Sequence, residues 1–151
     1  MTHGIHHLSA LLATHGLRHH VDDEELVIRI VLPMRRYLSL RREPLAVVRI
    51  EITDMGQTCR ASIAPGFRPE GSLAAACLAI AGGLIDCSCV AVHHAAGSDT
   101  LDLVAAMPFD SASVTADQLC VLIDHLGAAA DHVQGCLDRV SPAREDHRRV
   151  A

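Results

Sequence analysis

Residues 115–140 read TADQLCVLIDHLGAAADHVQGCLDRV and carry the most regular hydrophobic pattern of the chain. Apolar side chains recur there every seven residues, at Leu119, Leu126, Val133 and Val140. This spacing is typical of an amphipathic α-helix. Thr115 and Gln118 fit a capping box, in which each side chain bonds the backbone N–H of the other residue. Roughly 25 residues at ~1.5 Å each predict a helix about 37 Å long.

Residues upstream of this helix alternate between apolar and polar side chains, which is the period of a β-strand. Two turns separate the alternating segments, at residues 54–56 and at residues 97–98. Alternation with one apolar face is expected of antiparallel strands that are buried on one side and exposed to water on the other. The segments with this pattern are residues 47–52, 59–63, 87–94 and 100–107.

One more strand and two more helices complete the predicted order. Leucine and isoleucine recur at every second position of residues 26–32, and Pro33 ends this strand. The arginine-rich residues 34–43 fit either a loop or a short edge strand. Apolar residues at three- and four-residue steps predict helices at residues 2–16 and 73–85. The second helix is apolar on nearly every side, so more than one of its faces must be covered.

The order of elements is therefore α-β-β(-β)-α-β-β-α, and it predicts the α+β fold class. An antiparallel β-sheet packed by helices is the natural arrangement for such an order. With 151 residues the chain has the size of one domain. We expect this domain to span residues 1–140, and we expect the polar residues 141–151 to form a disordered tail.

The composition is that of a globular protein, with 50% hydrophobic residues and a net charge of −5. The only dense group of basic residues lies near the C-terminal end, so no nucleic-acid partner is expected. No stretch approaches the roughly 18–20 uninterrupted apolar residues of a membrane span, so no membrane partner is expected. The N-terminal residues lack the pattern of a secretory signal, which predicts a cytoplasmic protein with reduced cysteines.

Histidine and cysteine residues indicate one alternative function, a metal-binding regulatory protein. Two histidines four residues apart on a helix can share a Zn²⁺, Ni²⁺ or Cu²⁺ ion. No Asp or Glu of the first helix completes such a site, and solvated or packed side chains are the simpler interpretation, so we expect no bound metal or cofactor. The residues in question are His3, His6, His7, His15 and His19 in and after the first helix, and Cys87, Cys89 and His93 on one face of a strand.

A small-molecule enzyme of unknown reaction is a second alternative. The sequence contains no G-x-S-x-G elbow and no glycine-rich loop of the type that cradles phosphates. Runs of carboxylates occur at residues 22–25 and along the last helix, where solvated faces are the simpler interpretation. Because no nucleophile, base and oxyanion donor are brought together by a recognisable pattern, we expect no catalytic residues and no enzyme activity.

The positive mean hydropathy of +0.25 indicates more apolar surface than a single layer of core requires. Surplus apolar surface is typical of a contact with another chain. The apolar helix at residues 73–85 is the predicted place for self-association about a two-fold axis, unless the monomer itself covers both of its faces. Its predicted dimer contacts are Leu73, Cys77, Ile80 and Leu84.

The chain resembles the type III secretion chaperone-like fold and, within it, the YbjN-type family of sensory transduction regulators. The likeness covers residues 3–140, although its motifs are diffuse. It is carried by LSALL at residues 8–12 with Gly16 and Leu17, by the hairpin at residues 47–64, by the helix at residues 73–84 and, most strongly, by residues 90–140.

The resemblance implies a small, acidic, cytoplasmic, non-enzymatic homodimer that binds an extended segment of a partner protein. In secretion chaperones the partner wraps apolar grooves on the sheet and the first helix and often adds a strand. Transferred to this chain, the implied groove is partly lined by Leu8, Leu11, Val48, Ile50 and Ile52.

Overall fold

The chain forms one β-sheet and two helices in the residues that a computed structural model describes, which are 2–68, 90–94 and 97–140. These elements are, in chain order, α1 (Thr2–Thr14), β1 (His20–Asp22), β2 (Val27–Pro33), β3 (Leu45–Thr53), β4 (Thr58–Phe67), β5 (Val90–His93), β6 (Leu101–Pro108) and α2 (Ala116–Val140).

Several predicted features lie outside the described residues. They are the helix at residues 73–85 with its proposed contacts Leu73, Cys77, Ile80 and Leu84, the two cysteines Cys87 and Cys89, and the tail at residues 141–151.

All six described strands belong to a single antiparallel sheet with the spatial order β1-β2-β3-β4-β6-β5. Alternation sets the register, because it places apolar residues of neighbouring strands on the same face. Ile30 lies opposite Val48, and Ala61 lies opposite Ala105. The predicted α+β class and antiparallel sheet are confirmed, and the described elements follow the predicted order with β1 as an addition.

Three segments differ from the prediction or resolve an alternative that it left open. The edge strand β1 pairs with β2 through Asp22 opposite Val27, and its three residues are too few to show a period of two. Residues 34–44 form a loop, which resolves the alternative between loop and edge strand. The first helix ends at Thr14, and Gly16 beyond it adopts a φ of +69°, a left-handed conformation that favours glycine.

One face of the sheet is buried beneath both helices. Helix α1 packs over β1, β2 and β3, whereas α2 packs over β4, β5 and β6 and also contacts α1. The helices bury apolar stripes that include Ile5, Leu8, Leu12, Leu119, Leu126 and Val133. The strands bury Ile28, Ile30, Val48, Ile50, Ala61, Ile63 and Leu103 against them.

The loop at residues 34–44 is attached to α2 by one carboxylate. Asp131 Oδ1 accepts the backbone N–H groups of Arg36 and Tyr37, each at 2.8 Å. The Tyr37 ring enters the core, where its edge packs on Phe67 with the ring centres 5.1 Å apart, and its hydroxyl donates to Gly66 O at 2.7 Å. Burial raises the pKa of Tyr37 to about 12, so the hydroxyl keeps the proton that it donates.

The start of α2 has the capping box that the sequence predicts. The Gln118 N–H donates to Thr115 Oγ1 and the Thr115 N–H donates to Gln118 Oε1, each at 3.1 Å. These two bonds satisfy N–H groups that have no partner inside the helix. The capping prediction is therefore confirmed.

We expect the substitution Tyr37→Phe to lower the free energy of unfolding by about 1–3 kcal/mol, because the buried Gly66 carbonyl would lose its donor. Urea denaturation followed by circular dichroism measures the change. Tyr37→Leu also removes the ring contact with Phe67 and should cost more. Equal stability of the Tyr37→Phe variant and the unaltered protein would contradict this account.

Candidate interaction surface

Three of the five residues predicted to line a partner groove lie in the core. Leu8, Val48 and Ile50 are completely buried between the helices and the sheet. Leu11 and Ile52 are half-buried and pack against the margin of that core. A partner can therefore reach Leu11 and Ile52 as the structure stands, whereas contact with the other three would require a helix to move.

Apolar side chains are exposed on the face of the sheet opposite the helices. Val31 of β2 and Val47 of β3 are register partners on this face, and they are 60% and 43% exposed. Pro33 follows on β2, and Ala64 of β4 lies on the same face; both are exposed. We call these four residues the valine patch. In the described part of the chain, neither helix covers it.

The valine patch departs from the usual composition of a solvated sheet face. Positions that face water in an antiparallel sheet ordinarily carry polar residues. Apolar side chains left side by side in water are typical of a surface that contacts another protein. The other large apolar side chains exposed in the described residues are separate from the patch, since Met55 is in a turn and Val121 is on α2.

Paired charges border the valine patch on the same side of the sheet. The Arg29 guanidinium donates to Asp22 at 3.0 Å and to Glu25 at 2.9 Å. Arg49 lies 3.5 Å from Glu25 and 3.8 Å from Glu51. We call the whole set the charged ladder, which consists of Asp22, Glu25, Arg29, Arg49, Glu51 and Arg60.

Hydrogen bonds fix the carboxylate of Asp22, the residue of the charged ladder that lies on the edge strand β1. The backbone N–H groups of Glu24 and Glu25 each donate to Asp22 Oδ1 at 3.0 Å. The Glu25 N–H, followed by the Arg29 side chain, holds the pKa of Asp22 below its ordinary value of 3.8. The bond to Asp22 in turn raises the pKa of Arg29. Asp22 and Arg29 thus remain charged and paired at neutral pH, and the charged ladder forms a polar rim beside an apolar centre.

The histidines of the first helix have separate partners. His6 Nε2 lies 3.2 Å from Asp23, and His15 Nε2 lies 2.8 Å from Asp117. His19 contacts a serine hydroxyl and a backbone carbonyl. His15 and His19 therefore have different partners in this arrangement, and the alternative in which they share one ion stays a hypothesis. Across residues 2–68, 90–94 and 97–140, no three His, Cys, Asp or Glu side chains are grouped as metal ligands.

The remaining candidates for metal binding are not brought together by the described residues. His7 Nε2 is buried and has no hydrogen-bond partner among the described residues. The side chain of His3 is not among those described. His93 is exposed on β5, whereas Cys87 and Cys89 lie outside the described residues. The metal-binding alternative stays a hypothesis.

Two thiols have environments that suppress the reactive thiolate. Burial raises the pKa of Cys59 to about 12. Burial also raises the pKa of Cys120, and the carboxylates of Asp124 and Asp117 add to this shift. A thiol must ionise to act as a nucleophile, so neither group has the chemistry of a catalytic cysteine at neutral pH.

The sequence itself marks the valine patch, although the predicted partner groove contains none of its residues. Val31 and Val47 occupy positions on the polar side of two alternating strands, where a charged or hydroxyl side chain is usual. Apolar residues at the same level of two neighbouring strands mark such a patch, once the register is known.

No protein-family model matches the chain, and no curated protein shows significant similarity to it. None of the helices in the described residues has the length and apolar character that crossing a membrane requires.

We expect Asp22→Asn to lower the melting temperature at pH 7, because the charged carboxylate makes bonds in the folded protein that the unfolded chain lacks. Since the pKa of Asp22 is lowered, this stabilisation is present above pH 3.8 and is lost as the pH falls through the lowered value. The difference between the two proteins should therefore shrink as the pH falls below 3.8. Glu24→Gln is the control, because it removes a neighbouring carboxylate and leaves the three bonds to Asp22 in place. A difference for Asp22→Asn that does not change with pH would contradict the prediction.

We expect Cys59 to resist alkylation in the native protein, because its thiol is buried and protonated. Iodoacetamide at about pH 8 should label Cys59 only after denaturation, as measured by peptide mass spectrometry. Cys120 is partly exposed and should be labelled before Cys59. Rapid native labelling of Cys59 would show that its environment differs from the one described.

Proposed function

We propose that this protein is a protein-binding module whose contact surface is the face of the sheet that carries the valine patch. The observation that carries the proposal is the exposure of Val31 and Val47, 60% and 43%, as direct neighbours on that face. Complete burial of an aliphatic side chain of this kind contributes about 1.5–3 kcal/mol. A polypeptide that covers both valines therefore gains the free energy of burying their exposed apolar surface.

The surroundings of the valine patch support this role. Contact surfaces between proteins commonly have an apolar centre and a polar rim. Arg29 and Arg49 of the charged ladder flank the two valines along their strands, and both are already paired with carboxylates. A partner that covers the valines thus leaves no arginine of this rim without a counter-charge.

The family resemblance supports a finer proposal. The protein is a secretion-chaperone-like or YbjN-type regulator that acts in the cytoplasm as a homodimer. It binds an extended segment of a client protein and catalyses no reaction. An antiparallel sheet with a long C-terminal helix is what this resemblance implies, and the α+β fold has both elements. Leu11 and Ile52 are the positions of the implied client groove that are accessible.

Photo-crosslinking tests whether the valine patch binds protein. The change Val31→p-benzoylphenylalanine places a crosslinker in the patch, and Val121→p-benzoylphenylalanine places one at a comparably exposed valine on α2, 51% exposed. We expect irradiation of cells that express each variant to yield a covalent adduct with a polypeptide from position 31 and none from position 121. Gel mobility and mass spectrometry measure the adduct.

Two outcomes would overturn the proposal. One is the absence of any position-31 adduct when the variant is folded and expressed. The other is equal labelling from positions 31 and 121, which would indicate random collisions instead of a specific contact.

A further inference from the structure

We infer that Ser9 of α1 is a reactive serine, with His19 as its general base, and that it accepts an acyl group from an activated ester. The observation that carries the inference is the contact between Ser9 Oγ and His19 Nε2, which are 2.6 Å apart. Helix α1 lies on the face of the sheet opposite the valine patch, so this role goes beyond the proposed function.

A backbone carbonyl assigns the proton of the His19 imidazole. His19 Nδ1 lies 2.8 Å from Leu17 O. Because a carbonyl oxygen only accepts hydrogen bonds, Nδ1 is the ring nitrogen that carries the proton. In the neutral imidazole Nε2 is then an acceptor, and the Ser9 hydroxyl donates to it. A nucleophile, a base and a group that orients the base therefore lie in the order that activates serine for acyl transfer.

The end of α1 determines where His19 lies. The Leu17 N–H donates to Leu12 O at 3.1 Å, and the Gly16 N–H donates to Ala13 O at 3.0 Å. These two bonds form a Schellman motif, which uses the left-handed φ of +69° that Gly16 adopts. The motif turns the chain at the end of the helix, so that His19 returns beside α1.

The sheet holds the chain on the other side of His19. The next residue, His20, begins β1 and is the register partner of Arg29 on β2. The imidazole is thus positioned between a hydrogen-bonded turn and a paired strand. Ser9 and His19 are both half-buried, so a small reagent can reach the pair while the protein shields part of it from water.

The chemical step is transfer of the acyl group to Ser9. Ser9 Oγ attacks the carbonyl carbon of the ester and forms a new C–O bond, while the hydroxyl proton moves to His19 Nε2. When the carbonyl re-forms, the bond from the acyl carbon to the leaving oxygen or sulfur breaks, and the leaving group takes the proton from Nε2. The products are O-acylated Ser9 and a free phenol, alcohol or thiol, and the imidazole is neutral again.

The position of Ser9 within α1 limits the class of acyl donor. Ser9 lies beyond the first turn of the helix, where the backbone N–H groups bond within the helix and are not free to stabilise an oxyanion. The step therefore depends on a good leaving group, as in an aryl ester or a thioester. Release of the acyl group by water would lack the same stabilisation, so the product is a modified protein and not an intermediate of a catalytic cycle.

Two side chains of α1 provide internal comparisons. His6 lies three residues before Ser9 and thus on the same side of the helix, but its Nε2 lies 3.2 Å from an Asp23 carboxylate oxygen. The Thr14 hydroxyl donates to Leu11 O at 2.6 Å, so its partner is a backbone carbonyl and not a base. We expect neither His6 to act as the base nor Thr14 to be acylated quickly.

Acetylation by p-nitrophenyl acetate tests the inference. The native protein is incubated with this aryl ester, and peptide mass spectrometry with fragmentation follows the acetyl group on each hydroxyl with time. We expect acetyl-Ser9 to accumulate well before acetyl-Thr14. His19→Gln should slow acetylation of Ser9 by about a hundredfold, which is the usual size of a general-base contribution. His6→Gln is the matched control and should retain the rate of the unaltered protein.

Three results would overturn the inference. They are acetylation of Thr14 as fast as that of Ser9, an unchanged rate at Ser9 in His19→Gln, and an equal loss of rate in His6→Gln and His19→Gln. Circular dichroism verifies that both variants are folded. If His19→Gln does not fold, the comparison of Ser9 with Thr14 in the unaltered protein decides, because equal rates there would refute an activated serine.

Discussion

The burial of one sheet face beneath the two described helices is the constraint on which the rest of the described structure depends. Leu8 of α1 and Leu119 of α2 belong to the same core cluster as Ile30, Val48 and Ile50 of the strands. Because both helical stripes are buried on this side, their apolar surface is already used in the core. Val31 and Val47 lie on the other face and are exposed, and the proposed contact surface depends on that asymmetry.

A second constraint is the attachment of the loop at residues 34–44 to α2. Asp131 holds the backbone of Arg36 and Tyr37, so α2 both covers the sheet and sets the position of the loop after β2. Bonds from backbone N–H groups to a carboxylate are among the stronger hydrogen bonds in proteins. The packing of α2 therefore fixes where the backbone of this arginine-containing loop lies relative to Val31 and Val47.

The long helix and its capping box were predictable because they depend on residues close together in the sequence. The predicted partner groove stays a prediction. Periodicity identifies apolar positions, and such positions are first of all core positions, as Val48 and Ile50 show. The loop at residues 34–44 could not be assigned because its anchor, Asp131, is more than 90 residues away in the chain. Likewise, the exposure of Val31 depends on which face the helices cover.

The shortness and the charge of β1 also affect how the molecule can assemble. A sheet edge with free backbone groups is a template on which further strands add, and this is one route to fibrous aggregation. Here the edge is only three residues long and is followed by Asp23, Glu24 and Glu25. A second β1 approaching it would bring its own carboxylates into repulsion and would find few groups to pair with. Edge-to-edge growth of the sheet by addition of another strand is therefore disfavoured at β1.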